Sequence, residues 1–258
     1  MTRALALALV LAACTTMADD EPSNGHAAAP PTVAASDRGG NRLEVLEHRN
    51  GRSCTPDNAW CVAPSGEFFN MRNGGSTVVT GATREEETQS TWPFAIRRAN
   101  GHVIMGIVFT TSEMYSGGGA TASVITLYDI ASGQDAATPV VSLPYGGSAS
   151  IRACFDEEDR RARREACSDE YEMSGSINLD ATSTGAWPRL IFTTDAWTYP
   201  GRVSRSEDST QAPPLTRADL VWAHDEACTY RRVLTYAPGA EGYAPDAPLP
   251  ECSDYLTQ

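Results

Sequence analysis

Aromatic residues that stand beside glycine and proline are the first side chains in this sequence that suggest chemistry. They lie in SEMYSGGG at residues 112–119 and in DAWTYPGR at residues 195–202. Because loops on a β scaffold commonly carry binding residues, Tyr115, Trp197 and Tyr199 are predicted to form a stacking platform for a sugar or a protein partner. The alternative interpretation is that these rings cover the core at the ends of strands.

Carboxylates are the second group with a chemical use, because a glycosidase needs two acids that converge on one bond. The candidates are Glu113, Asp180, Asp195 and the run Glu85-Glu86-Glu87. Each of them is also typical of a solvated loop or strand end. A glycan hydrolase is therefore the alternative to a binding protein.

Motifs of other enzyme classes are missing from the sequence, which has no GxSxG, HExxH, P-loop or GxGxxG pattern. His224 and Asp225 are adjacent, and adjacent residues on a strand face opposite sides, so they do not form a relay on their own. No CxxC occurs and the four histidines are scattered, which disfavours structural zinc. We therefore predict no metal and no cofactor, and we favour a protein without catalytic activity.

Six of the seven cysteines indicate disulfides, as expected for an exported chain in an oxidising compartment. They form three well-separated pairs along the sequence: Cys54 and Cys61, Cys154 and Cys167, Cys228 and Cys252. This spacing favours sequential pairing, in which each bridge closes a local loop and contributes roughly 2–4 kcal/mol.

The residues between Cys154 and Cys167 read FDEEDRRARREA and predict a short helix near residues 156–166. Acidic residues fill its first turn and arginines follow, which suits the helix dipole. Three acid-first pairs are spaced for ion pairing: Asp156–Arg160, Glu157–Arg161 and Asp159–Arg163. A calcium loop is the alternative, but its alternating spacing and its glycine are missing.

The rest of the chain has the pattern of a β protein. Residues 92–111 contain two β-type runs that flank Asn100-Gly101, a dipeptide that predicts a hairpin with a type I′ turn. Further β-type segments follow, separated by turn residues, and long helical periodicity is missing. The predicted fold class is all-β, mainly an antiparallel sandwich or barrel, with the short helix near 156–166 as its exception.

The seventh cysteine lies in a different setting. Arg3 precedes an apolar run over residues 4–13, which is too short for a bilayer span of about 20 residues and is typical of a secretory signal. The end of this run, Leu11-Ala12-Ala13-Cys14, resembles the lipobox of bacterial lipoproteins. The resemblance covers residues 1–14 and implies that Cys14 is lipidated and becomes the first residue of the mature chain. An ordinary signal peptide is the alternative.

Three parts of the chain are therefore predicted: a signal peptide at 1–13, the lipidated cysteine with a disordered tether at 14–40, and one disulfide-stapled β-rich domain at 41–258. The tether is rich in small residues, proline and glycine, and cannot bury enough surface to offset its chain entropy. Thr15 stands where lipoproteins of the inner membrane usually have aspartate, so the resemblance implies an outer-membrane anchor that faces the periplasm.

The charge of the chain limits its partners. It has 33 acidic and 20 basic residues, all of the latter arginine, and a net charge of −13. This acidity disfavours nucleic acid and anionic lipid surfaces as partners, whereas a basic protein would be attracted. The sequence thus predicts an envelope lipoprotein, anchored to the membrane through Cys14, with a non-catalytic binding or inhibitory domain for an envelope protein or a glycan. A purely structural lipoprotein is a further alternative.

Overall fold

The structure is a computed structural model that describes residues 35–72, 74–78, 87–131, 137–205, 207–237, 239 and 242–256. The predicted signal peptide, the predicted lipidation site Cys14 and the acidic residues Glu85 and Glu86 lie outside these described residues. None of the helices in the described part of the chain has the length and apolar character that crossing a bilayer requires.

Antiparallel strands make up most of the described chain, and the all-β prediction is confirmed. The strands are β1 (Arg42–Val45), β2 (Glu47–Arg49), β3 (Arg52–Cys54), β4 (Trp60–Val62), β5 (Glu67–Asn70), β6 (Gly75–Val78), β7 (Glu87–Arg97), β8 (Val103–Tyr115), β9 (Gly118–Ile130), β10 (Thr138–Arg152), β11 (Ser168–Leu179), β12 (Leu190–Tyr199), β13 (Ala223–His224), β14 (Arg231–Ala237) and β15 (Gly242–Pro245). The described residues also form two short α-helices, α1 (Glu157–Ala162) and α2 (Ser253–Leu256), and one turn of 3-10 helix (Arg217–Asp219).

The larger sheet has ten strands among the described residues, in the order β1-β7-β8-β9-β10-β11-β12-β14-β15, and β13 pairs with the far end of β12. One apolar cluster takes side chains from both ends of this order, including Leu43 of β1, Ile125 of β9 and Leu234 of β14. The sheet must therefore curl around this cluster. Gly242 of β15 accordingly lies close to the backbone of Val140 in β10.

The smaller sheet, with the order β2-β3-β4-β5-β6, covers the outer side of the large one. Alternate residues of β8 explain this packing: Ile104 points into the curled sheet, whereas Met105 packs in a second cluster with Trp60 and Phe68 of the small sheet. A strand that is buried on both faces has an almost unbroken apolar sequence, as VIMGIVF does. The two sheets are therefore joined through β8.

Three disulfides are present, and they join Cys54 to Cys61, Cys154 to Cys167 and Cys228 to Cys252. This is the sequential pairing that the spacing favours. Each bridge fixes a local segment: the first links neighbouring strands β3 and β4, the second brackets α1, and the third ties α2 to the loop that follows β13.

Helix α1 is shorter than predicted, and its predicted ion pairs are wrong. Asp156 is the N-cap, and its side chain accepts hydrogen bonds from the first turn. Arg163 turns away from the helix to form a buried ion pair with Asp169 of β11. Residues Arg164 and Glu165 have positive φ angles, of 53° and 71°, so the helix cannot continue to residue 166.

The hairpin predicted at Asn100-Gly101 exists, but the predicted type I′ turn is wrong. Gly101 has a φ of 88°, and Asn100 does not have a positive φ. The N–H of Gly101 donates to the carbonyl of Arg98, and the N–H of Arg98 donates to the carbonyl of His102. This is a three-residue loop with a type I turn and a glycine bulge.

Residues 35–40, which the sequence assigns to the tether, are ordered against the start of β1. The N–H of Leu43 donates to the carbonyl of Ala35 at 2.9 Å, and Ser36 forms a bridge with Arg42. The carboxylate of Asp37 accepts two hydrogen bonds from Asn41. The folded part of the chain therefore begins before residue 41.

Candidate functional site

A groove of about 680 Å³ opens at the end of the large sheet that lies beyond the central apolar cluster. We call it the acidic groove. It is lined by the ends of β8 and β9 and by the facing parts of β10 and β11. The β8 and β9 ends form a hairpin whose tip is only Ser116-Gly117.

Strand register places the lining side chains in two rows that cross the sheet. The first row runs from Ser112 through Thr121 and Ser148 to Glu172. The hydroxyl groups of Thr121 and Ser148 are 2.8 Å apart, so these neighbours face the same side. The next residue in the row, on β12, is Trp197.

The second row lies two residues further along each strand. It runs from Met114 through Gly119 and Ser150 to Glu170, and Tyr199 follows on β12. Since alternate residues of a strand share a face, both rows face the same side of the sheet. The acidic groove therefore has hydroxyl groups in its middle, two glutamates on β11 and aromatic rings on the strand beyond.

Two glycines shape the hairpin side of the acidic groove. Gly118 has a φ of 149°, and a Cβ there would overlap the carbonyl oxygen of Ser150. A Cβ on Gly119 would lie 2.5 Å from the sulfur of Met114. The thioether of Met114 therefore lies across β9, where it is 87% exposed.

The C-terminal helix supports β10 from its other side. A Cβ on Gly147 would overlap the carbonyl oxygen of Tyr255 in α2, so this helix packs directly on the strand. The Tyr255 hydroxyl donates to the carboxylate of Asp225 at 2.8 Å, and its ring meets that of Tyr171 edge to face at 6.2 Å. Burial raises the pKa of both tyrosines, so both phenols stay protonated.

The two glutamates of the acidic groove stand side by side on β11. Two residues of a strand span about 7 Å, and both side chains are half-buried. Burial, followed by the charge of Glu172, raises the pKa of Glu170 above its ordinary value. Within the described residues, neither carboxylate forms an ion pair, and Glu170 is thus in an environment that disfavours its negative charge.

An aromatic shelf adjoins the glutamates; its rings are Trp197 and Tyr199 of β12, His224 of β13, and Trp222, which precedes β13. The rings of Trp197 and His224 are 5.0 Å apart and nearly perpendicular, and those of Tyr199 and Trp222 are 5.6 Å apart. His224 also contacts Asp195, with 3.1 Å between Nε2 and Oδ1. The imidazole is therefore partnered by Asp195 of the neighbouring strand and not by its sequence neighbour.

The three predicted binding aromatics are not together on one loop surface. The segments predicted as loops are strand ends, because β8 and β12 continue to Tyr115 and Tyr199. Tyr115 lines the acidic groove at the hairpin, whereas Trp197 and Tyr199 stand on the shelf beyond β11. Four strand spacings of about 4.8 Å, or roughly 19 Å along the sheet, separate them.

The predicted carboxylate candidates lie apart from each other. Glu113 is exposed on β8 but faces the side opposite to Met114, and Asp195 pairs with His224. Asp180 lies in a turn, where hydrogen bonds from Thr182, strengthened by Arg189, lower its pKa. Glu87 begins β7. Sequence reasoning missed Glu170 and Glu172, although the alternation in EYEMSGS places both glutamates on one face of a strand.

Among the described residues, no three or more histidine, cysteine, aspartate or glutamate side chains are arranged to hold a metal ion. No protein-family model, curated protein or solved structure matches the chain.

Proposed function

We propose that this protein is a lipid-anchored component of the bacterial cell envelope, and that its β domain binds an envelope ligand non-catalytically in the acidic groove. The anchor rests on the likeness of Leu11-Ala12-Ala13-Cys14 to a lipobox. Lipid on Cys14 would hold the chain at the outer membrane, facing the periplasm. Binding rests on the groove itself.

The observation that carries the binding proposal is the lining of the acidic groove. Ligand sites are concave and combine apolar or aromatic surface with a few convergent polar groups. Here Met114 and Tyr115 provide exposed apolar surface at one end, hydroxyl groups lie between, and half-buried carboxylates stand at the other end. Two half-buried carboxylates without a cation do not stabilise the fold, so a purely structural role does not account for them.

Site-specific crosslinking in cells tests this proposal. A photoreactive phenylalanine derivative replaces Met114, which lines the groove, and in a matched control it replaces Glu113. Because Met114 lines the groove and Glu113 does not, the Met114 probe should give a discrete adduct that the Glu113 probe does not give. Equal labelling from both positions, or none from Met114, would contradict binding in the groove.

Metabolic labelling tests the anchor separately. Cells fed with radioactive palmitate should label the protein, and Cys14→Ser should remove the label. An unlabelled wild-type protein would refute the lipoprotein proposal and leave the groove proposal intact.

A glycan hydrolase is the second candidate, and the pair Glu170 and Glu172 favours it. Their spacing of about 7 Å and the raised pKa of Glu170 are features of a glycosidase acid and its partner. Both side chains, however, project from the same side of one strand, whereas the two acids of a glycosidase flank the bond they cleave. We therefore expect no new reducing ends from purified peptidoglycan. Release that Glu170→Gln abolishes would favour the hydrolase.

A further inference from the structure

Unlike Glu44, Asp129 and Asp169, the two glutamates of the acidic groove pair with no cation among the described residues. Glu44 is paired with Arg97 at 2.9 Å, Asp129 with Arg98 at 2.9 Å, and Asp169 with Arg163. Within the described residues no arginine or histidine forms such a pair with Glu170 or Glu172. Half-buried charges without partners disfavour the free state of the groove, so a ligand that brings a positive charge relieves this cost.

Each of these glutamates has an aromatic neighbour across the strand. Glu172 lies opposite Trp197, and Glu170 lies opposite Tyr199. The Cβ atoms of directly opposite residues are about 5 Å apart. A cation at this position can pair with a carboxylate and lie against an aromatic ring at the same time, and both interactions favour guanidinium.

The protein contains an internal example of this arrangement at the other end of the sheet. The guanidinium of Arg98 pairs with Asp129 and lies over the ring of Trp187, 3.4 Å from its centroid. There the carboxylate, the ring and the cation come from one chain. In the acidic groove, Trp197 and Tyr199 lie opposite the glutamates, and neither Glu172 nor Glu170 forms an ion pair with a cation of the described residues.

We propose that the acidic groove binds an extended peptide segment whose arginine or lysine side chain lies between Glu170, Glu172 and the aromatic shelf. This inference rests on the proposed binding function and names its ligand class. The rows span roughly 19 Å from β8 to β12, which corresponds to about six extended residues. The exposed apolar side chains of Met114 and Tyr115 then contact an apolar side chain at the other end of the peptide, and this favours a peptide over an amino sugar polymer.

The test uses the full-length chain, purified in a non-ionic detergent, on an array of random hexapeptides. Each hexapeptide carries arginine at its third position in one version and citrulline, its neutral isostere, in the other. Peptides that bind should do so at least about ten-fold more tightly in the arginine version, which is the typical gain from one charge-assisted pair. Lysine in the same position should retain most of the affinity.

Variants locate the effect in the groove. The double substitution Glu170→Gln and Glu172→Gln should lower the affinity for arginine peptides about ten-fold or more and leave that for citrulline peptides unchanged. Glu158→Gln, on the exposed surface of α1, removes one charge and should change neither. Thermal unfolding of each variant checks that the fold is retained.

The outcomes separate this inference from the proposed function. Equal binding of arginine and citrulline peptides that Ser148→Trp abolishes would overturn the cation inference and keep the groove as a binding site. Tighter binding of an oligomer of glucosamine than of any peptide would overturn the peptide as the ligand. Failure of both peptides and glycans to bind, together with failure of the Met114 crosslink, would overturn both proposals.

Discussion

Both ends of the curled sheet have shielded carboxylates beside aromatic rings, but the carboxylates compared here have a cationic partner at one end only. At one end Asp129 accepts from Arg98 and contacts Nδ1 of His102 at 3.0 Å, and Arg98 is itself only 4% exposed. At the other end Glu170 and Glu172 have no such partner among the described residues, although their neighbour Asp169 pairs with Arg163. We call these the closed end and the open end.

We propose that this difference separates an end that stabilises the fold from an end that binds a ligand. At the closed end the guanidinium is enclosed by Asp129, by the carbonyl of Ala186 and by Trp187, whose ring stacks on that of Tyr236 at 3.6 Å. Removing one partner of a buried pair leaves the other uncompensated. At the open end the unpaired negative charges of Glu170 and Glu172 destabilise the free protein, and under the proposed function a bound ligand offsets this cost.

Arg98→Met should produce the largest change in stability. It keeps much of the side-chain volume but leaves Asp129 buried with only His102 beside it, so the free energy of unfolding should fall by about 3–5 kcal/mol. Denaturant unfolding measures this. At the open end, Glu172→Gln should change stability by no more than about 0.5 kcal/mol.

A second substitution sharpens this prediction. Asp129→Asn in the Arg98→Met background removes the unpaired charge, so part of the lost stability should return. If Arg98→Met lowers the free energy of unfolding by less than about 1 kcal/mol, the Arg98–Asp129 pair does not stabilise the closed end, and the proposed difference between the two ends is wrong.

Gly118→Ala should have the next largest effect, because a Cβ at this position overlaps the carbonyl oxygen of Ser150 and the φ of 149° suits glycine. We expect a loss of about 2 kcal/mol or more and weaker ligand binding. Gly117→Ala is the matched control, since its Cβ would only reach the Tyr115 ring at 3.7 Å. Equal effects of the two substitutions would show that the hairpin does not depend on this contact.

The sequence predicts the β class and the cysteine pairing because both follow from local patterns and spacing. It does not predict the acidic groove, because Glu172 and Thr121 become neighbours only through the register of β9, β10 and β11. The curling of the sheet is equally hidden, although VIMGIVF in β8 shows burial on both faces. Alternation in EYEMSGS places Glu170 and Glu172 together, but only the fold shows that they lack a cation.

Tyr255→Phe should have a smaller effect at the open end. It removes the hydrogen bond to Asp225, whose carboxylate still accepts from the N–H groups of Ala227 and Cys228. Stability should fall by about 1 kcal/mol, as measured by thermal unfolding. Ligand affinity should fall only slightly, because α2 supports the back of β10 and does not line the groove. A large loss of affinity at unchanged stability would assign Tyr255 a role in binding.

Glu170→Gln should have the smallest effect, and its sign tests the claim that the open end is strained by charge. The pKa of Glu170 is raised in the folded state, so the folded protein holds this proton more tightly than the unfolded chain does. Wild-type stability is therefore lost as the pH rises through the folded pKa. Glu170→Gln should be more stable than wild type at pH 7, by at most about 0.5 kcal/mol because solvent screens a half-exposed group. The advantage should vanish below about pH 4, where the carboxyl is protonated in both states. A variant that is less stable than wild type at pH 7 would show that Glu170 has a favourable partner in the free protein, and the distinction between the two ends would not hold.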